Sequence, residues 1–135
     1  MNISKFTQKS VQAVQDLEKV AYEYGNQEIE QEHLLYTLLT QEDSLILKLI
    51  EKMEINRDYF IDTVKKALDA KVKVSGGELR FGQYLNKALV NAEDEAKAMG
   101  DEYVSVEHLF LALLKYPSPS MKKIWSEFGI TKERF

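Results

Sequence analysis

Two Glu-His pairs, Glu32-His33 and Glu107-His108, are the residues of this 135-residue chain best equipped for chemistry. A carboxylate next to an imidazole suggests a metal centre or acid–base work. Zinc takes three or four protein ligands, whereas the chain has these two histidines and no cysteine. Adjacent side chains on a helix also splay by about 100°, so neither pair closes on one ion. Acid–base catalysis needs a companion carboxylate at catalytic spacing, and none is indicated. No Gly-rich run ending in Gly-Lys-Ser/Thr and no dinucleotide fingerprint is present to cradle a nucleotide. The histidines therefore read as structural: at the third position of a short helix an imidazole can satisfy a backbone group. Glu32 and Glu107 fall in the first turns of those helices, where the dipole stabilises negative charge. Their functional alternative is a charged lip offered to a cationic group on a partner.

The pairs recur because the first half of the chain recurs. One gapless offset of 75 residues aligns 6–60 with 81–135 and gives 14 identities in 55 positions. Phe6 returns as Phe81, Gly25 as Gly100, Ile55 as Ile130 and Phe60 as Phe135. Such a period predicts two copies of one helical unit. Each unit opens with a long amphipathic helix, over 7–24 and 82–99. Val11, Val14, Leu17, Val20, Ala21 and Tyr24 form the inward stripe of the first. Leu85, Ala88, Leu89, Ala92, Ala96 and Met99 form that of the second. Thr7 can cap the first helix, and Gly25 and Gly100 can end the two.

Short helices over 31–40 and 106–115 carry apolar faces so broad that burial on several sides is expected. Third helices are expected over 44–53, with Leu45, Leu49, Ile50 and Met53 inward, and over 119–128, with Met121, Ile124, Trp125 and Phe128 inward. Asn56 and Thr131 are positioned to cap a fourth helix. In the first unit it runs to about Ala70; in the second it has barely begun at Phe135, so that copy reads as cut short. Between the units, 71–80 contains Gly76-Gly77 and reads as an exposed linker, its Lys71-Val72-Lys73-Val74 alternation too isolated to pair as a strand. The fold class is all-α: pseudo-two-fold duplicated four-helix repeats, 6–70 and 81–135, packed as one domain over 1–135.

Composition narrows the partners. Hydrophobic residues make up 44% and charged residues 30% of the chain, as in globular domains. The net charge of -4 gives no bulk attraction to nucleic acid. Lys65, Lys66, Lys71, Lys73 and Arg80 cluster near the centre and read as a solvated helix end and linker. No apolar run approaches a membrane span and no secretory leader is visible. The absence of cysteine suits a cytoplasmic location. A monomer is expected for the isolated domain. Among the aromatics, Tyr22 falls beside its helix stripe and Tyr84 near the start of its helix, which suits half-exposed protein-binding anchors.

The same residues carry a resemblance. Lys5-Phe6-Thr7, Gly25-Asn26-Gln27 with Ile29, and Glu32-His33-Leu34-Leu35 followed by Leu38-Leu39 resemble the N-terminal domain of the Clp/Hsp100 ATPases. Gly100-Asp101-Glu102-Tyr103-Val104 and Val106-Glu107-His108-Leu109-Phe110 repeat the pattern. The likeness is greatest to the disaggregase branch of the ClpB type. It implies a mobile, non-catalytic module tethered to a hexameric AAA+ ring, with ATP and Mg in that ring and none here. It also implies a stress-response role and a coiled-coil insertion in the full-length protein. The implied partners are unfolded or aggregated polypeptides, and adaptor proteins in some relatives. Matched by motif, the implied substrate-binding residues are Thr7, Asp101 and Glu107, with Leu89 in an apolar groove. A second peptide or adaptor site is expected around Glu32, Tyr22 and Tyr84. The alternative is the ClpC type, whose N-domains dock adaptors and phosphorylated arginine. Glu32 and Glu107 would then meet the guanidinium, but Glu30-Gln31-Glu32 and Ser105-Val106-Glu107 replace the Gly-Thr-Glu of that type.

Overall fold

Phe6 and Phe81, matched residues that start the two units, each cross to the other unit. Phe6 forms a parallel bridge with Val104. Strand β2 (Arg80–Phe81) pairs in parallel with β1 (Glu28–Ile29), placing Phe81 opposite Ile29. Ile29 and Val104 are themselves matched at the 75-residue offset, so the exchange is reciprocal. The structure is a computed structural model that describes residues 3–133.

Seven α-helices and one 3-10 turn (Ile3–Lys5) are present among the described residues. α1 (Gln8–Glu23) begins where the Thr7 hydroxyl accepts the Ser10 N–H at 3.2 Å, and it ends at Gly25 with φ 70°. Its counterpart α5 (Gln83–Ala98) starts at Gly82, which has no side chain to cap it, and ends at Gly100 with φ 74°. The short helices α2 (Gln31–Thr40) and α6 (Val106–Lys115) are buried on several sides, as their leucine content requires. α3 (Leu45–Lys52) and α4 (Arg57–Asp69) complete the first unit, capped by the side chains of Ser44 and Asn56. α7 (Pro119–Phe128) has proline at its first position, where the missing N–H costs nothing. No helix follows Thr131 among the described residues, and Phe135 lies outside them.

The units close over one core. Phe60 of α4 stacks on Trp125 of α7 with centroids 6.4 Å apart and meets Phe128 edge-on at 4.8 Å. Phe110 meets Trp125 edge-on at 5.6 Å, and the indole N–H donates to the Leu113 carbonyl. Gln31 is fully buried and joins the halves by three hydrogen bonds. Its amide donates to the carbonyls of Tyr84 and Tyr116, and its oxygen accepts the Ser118 N–H.

Two expected core positions are corrected. Leu45 is 41% exposed, and Ile46 takes the buried place in α3. Met99 is 60% exposed because it sits at the C-cap of α5, past the last turn that packs on α6. The segment 71–80 is largely exposed, yet it is tied to the first unit. The Val74 N–H donates to the Gly25 carbonyl at 2.9 Å, and the Asn26 amide donates to the Val72 carbonyl at 3.0 Å. Truncation separates the two positions in α3. Ile46→Ala is expected to cost about 2–5 kcal/mol and Leu45→Ala under about 1 kcal/mol in urea unfolding. Equal losses would contradict this placement.

Candidate functional site

Each unit bends sharply between its long and short helices, and the bend is stapled by a histidine. In the first unit the Glu30 N–H donates to Nδ1 of His33 at 2.8 Å. That nitrogen is thereby the acceptor, so Nε2–H donates to Oδ1 of Asn26 at 3.0 Å. In the second unit the Ser105 N–H donates to Nδ1 of His108 at 2.9 Å, and Nε2 meets Oδ2 of Asp101 at 2.8 Å. One staple, used twice, fixes the helix N-terminus against the turn after Gly25 or Gly100.

The staple of the second unit borders an open groove of about 450 Å³. Asp101, Glu102 and Glu107 give it charge; Met99, Tyr103 and Leu111 give it apolar wall; Ser105 and His108 complete it. Tyr103 is 50% exposed, Glu107 is exposed, and Asp101 keeps one carboxylate oxygen clear of the His108 contact. The groove therefore offers negative charge beside uncovered apolar surface.

The matching place in the first unit is partly filled: Lys71, Val72 and Val74 line it and leave a hollow of about 360 Å³. Lys71 reaches Oε2 of Glu30 at 3.1 Å and Oε2 of Glu32 at 3.2 Å. Arg80 reaches Glu28 at 3.4 Å, and the Lys73 ammonium stands 5.6 Å from the centroid of the Tyr24 ring. Glu32 is only 1% exposed and also accepts a short hydrogen bond from the Ser120 hydroxyl.

The expected site residues fall unevenly. Asp101 and Glu107 share the open groove. Thr7 does not line it, but its N–H donates to the Val104 carbonyl at 3.0 Å and so abuts the groove's connector. Leu89 is 1% exposed and belongs to the core, so it presents no groove surface. Of the second set, Glu32 is buried and engaged. Tyr22 is 81% exposed, and Tyr84 lines a separate hollow with Lys87 and Val90. Asn26 and Lys71 both hold the segment over the first groove, and no sequence signal joins them, because Lys71 lies outside the repeated span 6–60. Among the described residues no group of three or more His, Cys, Asp and Glu side chains is arranged to hold a metal. No helix among them is long and apolar enough to cross a membrane.

The Clp repeat (R) N-terminal domain family matches residues 5–128. The chain belongs to that family. This Clp repeat domain is 37% identical over 140 residues to the chaperone protein ClpB of Nitratidesulfovibrio vulgaris, covering 99% of this chain and 16% of that protein. The chain thus spans about one-sixth of that relative's length. The solved Hsp104 N-terminal domain of Candida albicans superposes with a TM-score of 0.83 at 22% identity, over 96% of this chain and 85% of that one. A ClpV N-domain solved with a VipB peptide superposes with a TM-score of 0.75 at 21% identity, over 97% and 82%. By family it is a non-catalytic N-terminal module.

The staple of the Clp repeat domain predicts a pH response. Burial, and after it the neighbouring Lys71 ammonium, holds the His33 imidazole at about 4. An unfolded chain takes up that proton below about pH 6.5, so the folded state binds fewer protons between roughly pH 6.5 and 4. Stability from this group is complete above that window and falls as pH drops through it. His33→Gln removes the effect. The stability gap between parent and variant should narrow by roughly 2–3 kcal/mol between pH 7 and 4.5, measured by urea unfolding at each pH. A constant gap would show that His33 already titrates normally in the fold.

Proposed function

We propose that this domain captures exposed segments of unfolded or aggregated polypeptide for an ATP-driven ring to which it is attached in the cytoplasm. The observation that carries the reading is the open groove of the second unit. Its acids and its uncovered Met99, Tyr103 and Leu111 lie together in one hollow of about 450 Å³. Unfolded clients display apolar side chains that folded proteins hide, and burying them against such walls supplies a weak, shape-tolerant attraction. The acids add selectivity and speed encounter with basic stretches. The 37% identity to a chaperone protein ClpB supports this assignment. In this reading Asp101 and Glu107 touch the client. Thr7 holds the connector behind the groove, and Leu89 supports the helix from within. Tyr22 and Tyr84 remain candidates for an adaptor surface on other faces.

Docking of one defined partner segment is the second reading. It is favoured by the likeness in fold to a ClpV N-domain solved with a VipB peptide. Phosphoarginine reading through Glu32 is disfavoured, because that carboxylate is buried and already meets Lys71.

The test is binding of a permanently unfolded, carboxymethylated model protein to the 135-residue chain. Met99→Ser combined with Tyr103→Ser removes apolar wall without touching the core. It is expected to weaken binding roughly tenfold, about 1.4 kcal/mol of lost burial. Binding left unchanged by this pair and by Glu107→Gln would reject the groove. Leu89→Asp is expected to unfold the domain and is uninformative as a binding probe.

A further inference from the structure

The two grooves are related by the internal repeat, and the first one holds an occupant. Lys71–Val74 runs directly from Ala70, the C-cap residue of α4, across the turn after Gly25. Lys71 meets the acid at the second position of α2, Glu32, and the residue before that helix, Glu30. Three residues on, the Val74 N–H donates to the Gly25 carbonyl. Asn26 grips the intervening backbone at the Val72 carbonyl. Lys73 lies over Tyr24 and donates to the Leu68 carbonyl. Val72 and Val74 alternate with the lysines and stay 80% and 41% exposed, so charge and backbone contacts hold this segment rather than deep apolar burial.

The second groove repeats the receiving side without the occupant. Glu107 stands where Glu32 stands, Gly100 where Gly25 stands, and Asp101 where Asn26 stands. Only one acid is kept in place, Glu32 as Glu107; Glu28 and Glu30 give way to Tyr103 and Ser105, while Asn26 and Gln27 become Asp101 and Glu102, so each side presents three acids in a different arrangement. Cations from the segment 71–80 pair with all three in the first. Among the described residues none pairs with the three in the second except His108, at Asp101. The exchange of Asn26 for Asp101 turns an amide that donates to a carbonyl into a carboxylate that accepts. The second groove is thus more selective for donors and cations than the first.

We infer that the open groove binds an extended segment in which basic and apolar residues alternate, placed as Lys71–Val74 is on the first unit except at Asp101, where the segment must turn a cation or an N–H toward the carboxylate in place of the carbonyl that Asn26 holds. A basic side chain of the segment pairs with Glu107, and an N–H three residues later donates to the Gly100 carbonyl. The free oxygen of Asp101 takes a second cation or N–H, and the intervening apolar residue lies toward Met99 and Tyr103. This names the client chemistry of the groove and rests on the proposed function only for the location of the site.

The probe is the seven-residue peptide of residues 70–76, titrated into the isotopically labelled 135-residue chain and followed by amide shifts. Its control carries Lys71→Glu and Lys73→Glu within the peptide. Saturable shifts are expected at Gly100, Asp101, Tyr103 and Glu107. The control peptide should leave them unmoved, and Glu107→Gln in the domain should weaken binding about fivefold. No saturable shift at these residues overturns the inference. So does equal binding of the control peptide, insensitivity to Glu107→Gln, or shifts confined to Gly25, Asn26 and Glu32, which would mean displacement of the domain's own segment. Binding of the unfolded carboxymethylated protein is measured on the same samples. If that persists while the peptide fails, the alternating basic motif is wrong and the groove stands; if both fail, the groove itself is wrong.

Discussion

The reciprocal pairing of Phe6 with Val104 and of Phe81 with Ile29 governs everything else in this domain. Each connector would otherwise leave backbone donors and acceptors buried beside the core, at a cost of a few kcal/mol apiece. Each unit satisfies the other instead: Thr7 donates to Val104, Gly82 to Ile29, and Val104 to Lys5. Neither unit can therefore complete its bend alone. The grooves lie on these bends, so the geometry of each groove is set by extended backbone belonging to the opposite repeat. Gln31 adds a polar rivet to the same seam, buried and bonded three times to backbone groups of the second unit.

On that common frame the two repeats separate by charge and cover. The histidine staple is unchanged, but it ends on a neutral amide at Asn26 and on a carboxylate at Asp101. Glu32 and Glu107 occupy the same helical turn and share the same dipole stabilisation. Yet one is sealed under Lys71 and Ser120 while the other faces solvent. A buried carboxylate needs its cation, because an uncompensated charge in low dielectric is costly. Lys71 is therefore part of the first unit's fold as well as its cover. Glu107 carries no such obligation and is available to a partner.

Much of this was legible in the residues. The 75-residue offset announced the duplication, and the glycines marked the ends of α1 and α5 close to where they fall. The structural reading of His33 and His108 rested on their place in a first turn, where the imidazole does meet a backbone N–H. What periodicity could not carry lay at helix ends and in long-range contacts. Leu45 is the first residue of α3, where the chain has not yet turned its face to the core, so the burial passes to Ile46. Met99 continues the α5 stripe in sequence but stands beyond its last packed turn. Some differences between the repeats are structural and have no counterpart in the period itself. Gln31 against Val106 proves to be the rivet, and Trp125 against Ile50 fills the core beside Phe60. The contact of 71–74 with the first groove joins residues about 45 positions apart, and no local pattern encodes it.

Why one groove is covered and the other open follows from connectivity. α4 ends at Asp69, and the chain leaves it already beside Gly25, so Lys71–Val74 reaches its partners with almost no loop to close. An occupant tethered so tightly acts at an effective concentration in the millimolar range or above. Modest contacts then suffice: a pair of lysines, one long-range backbone N–H···O bond and one side-chain amide. A free segment making the same contacts must supply the association entropy that the tether removes. It will therefore lose to the tethered occupant at the first groove and compete only at the second. Under the proposed function, a duplicated frame with one copy occupied from within leaves one site for clients, and the occupied copy serves instead to stabilise the bend of the first unit.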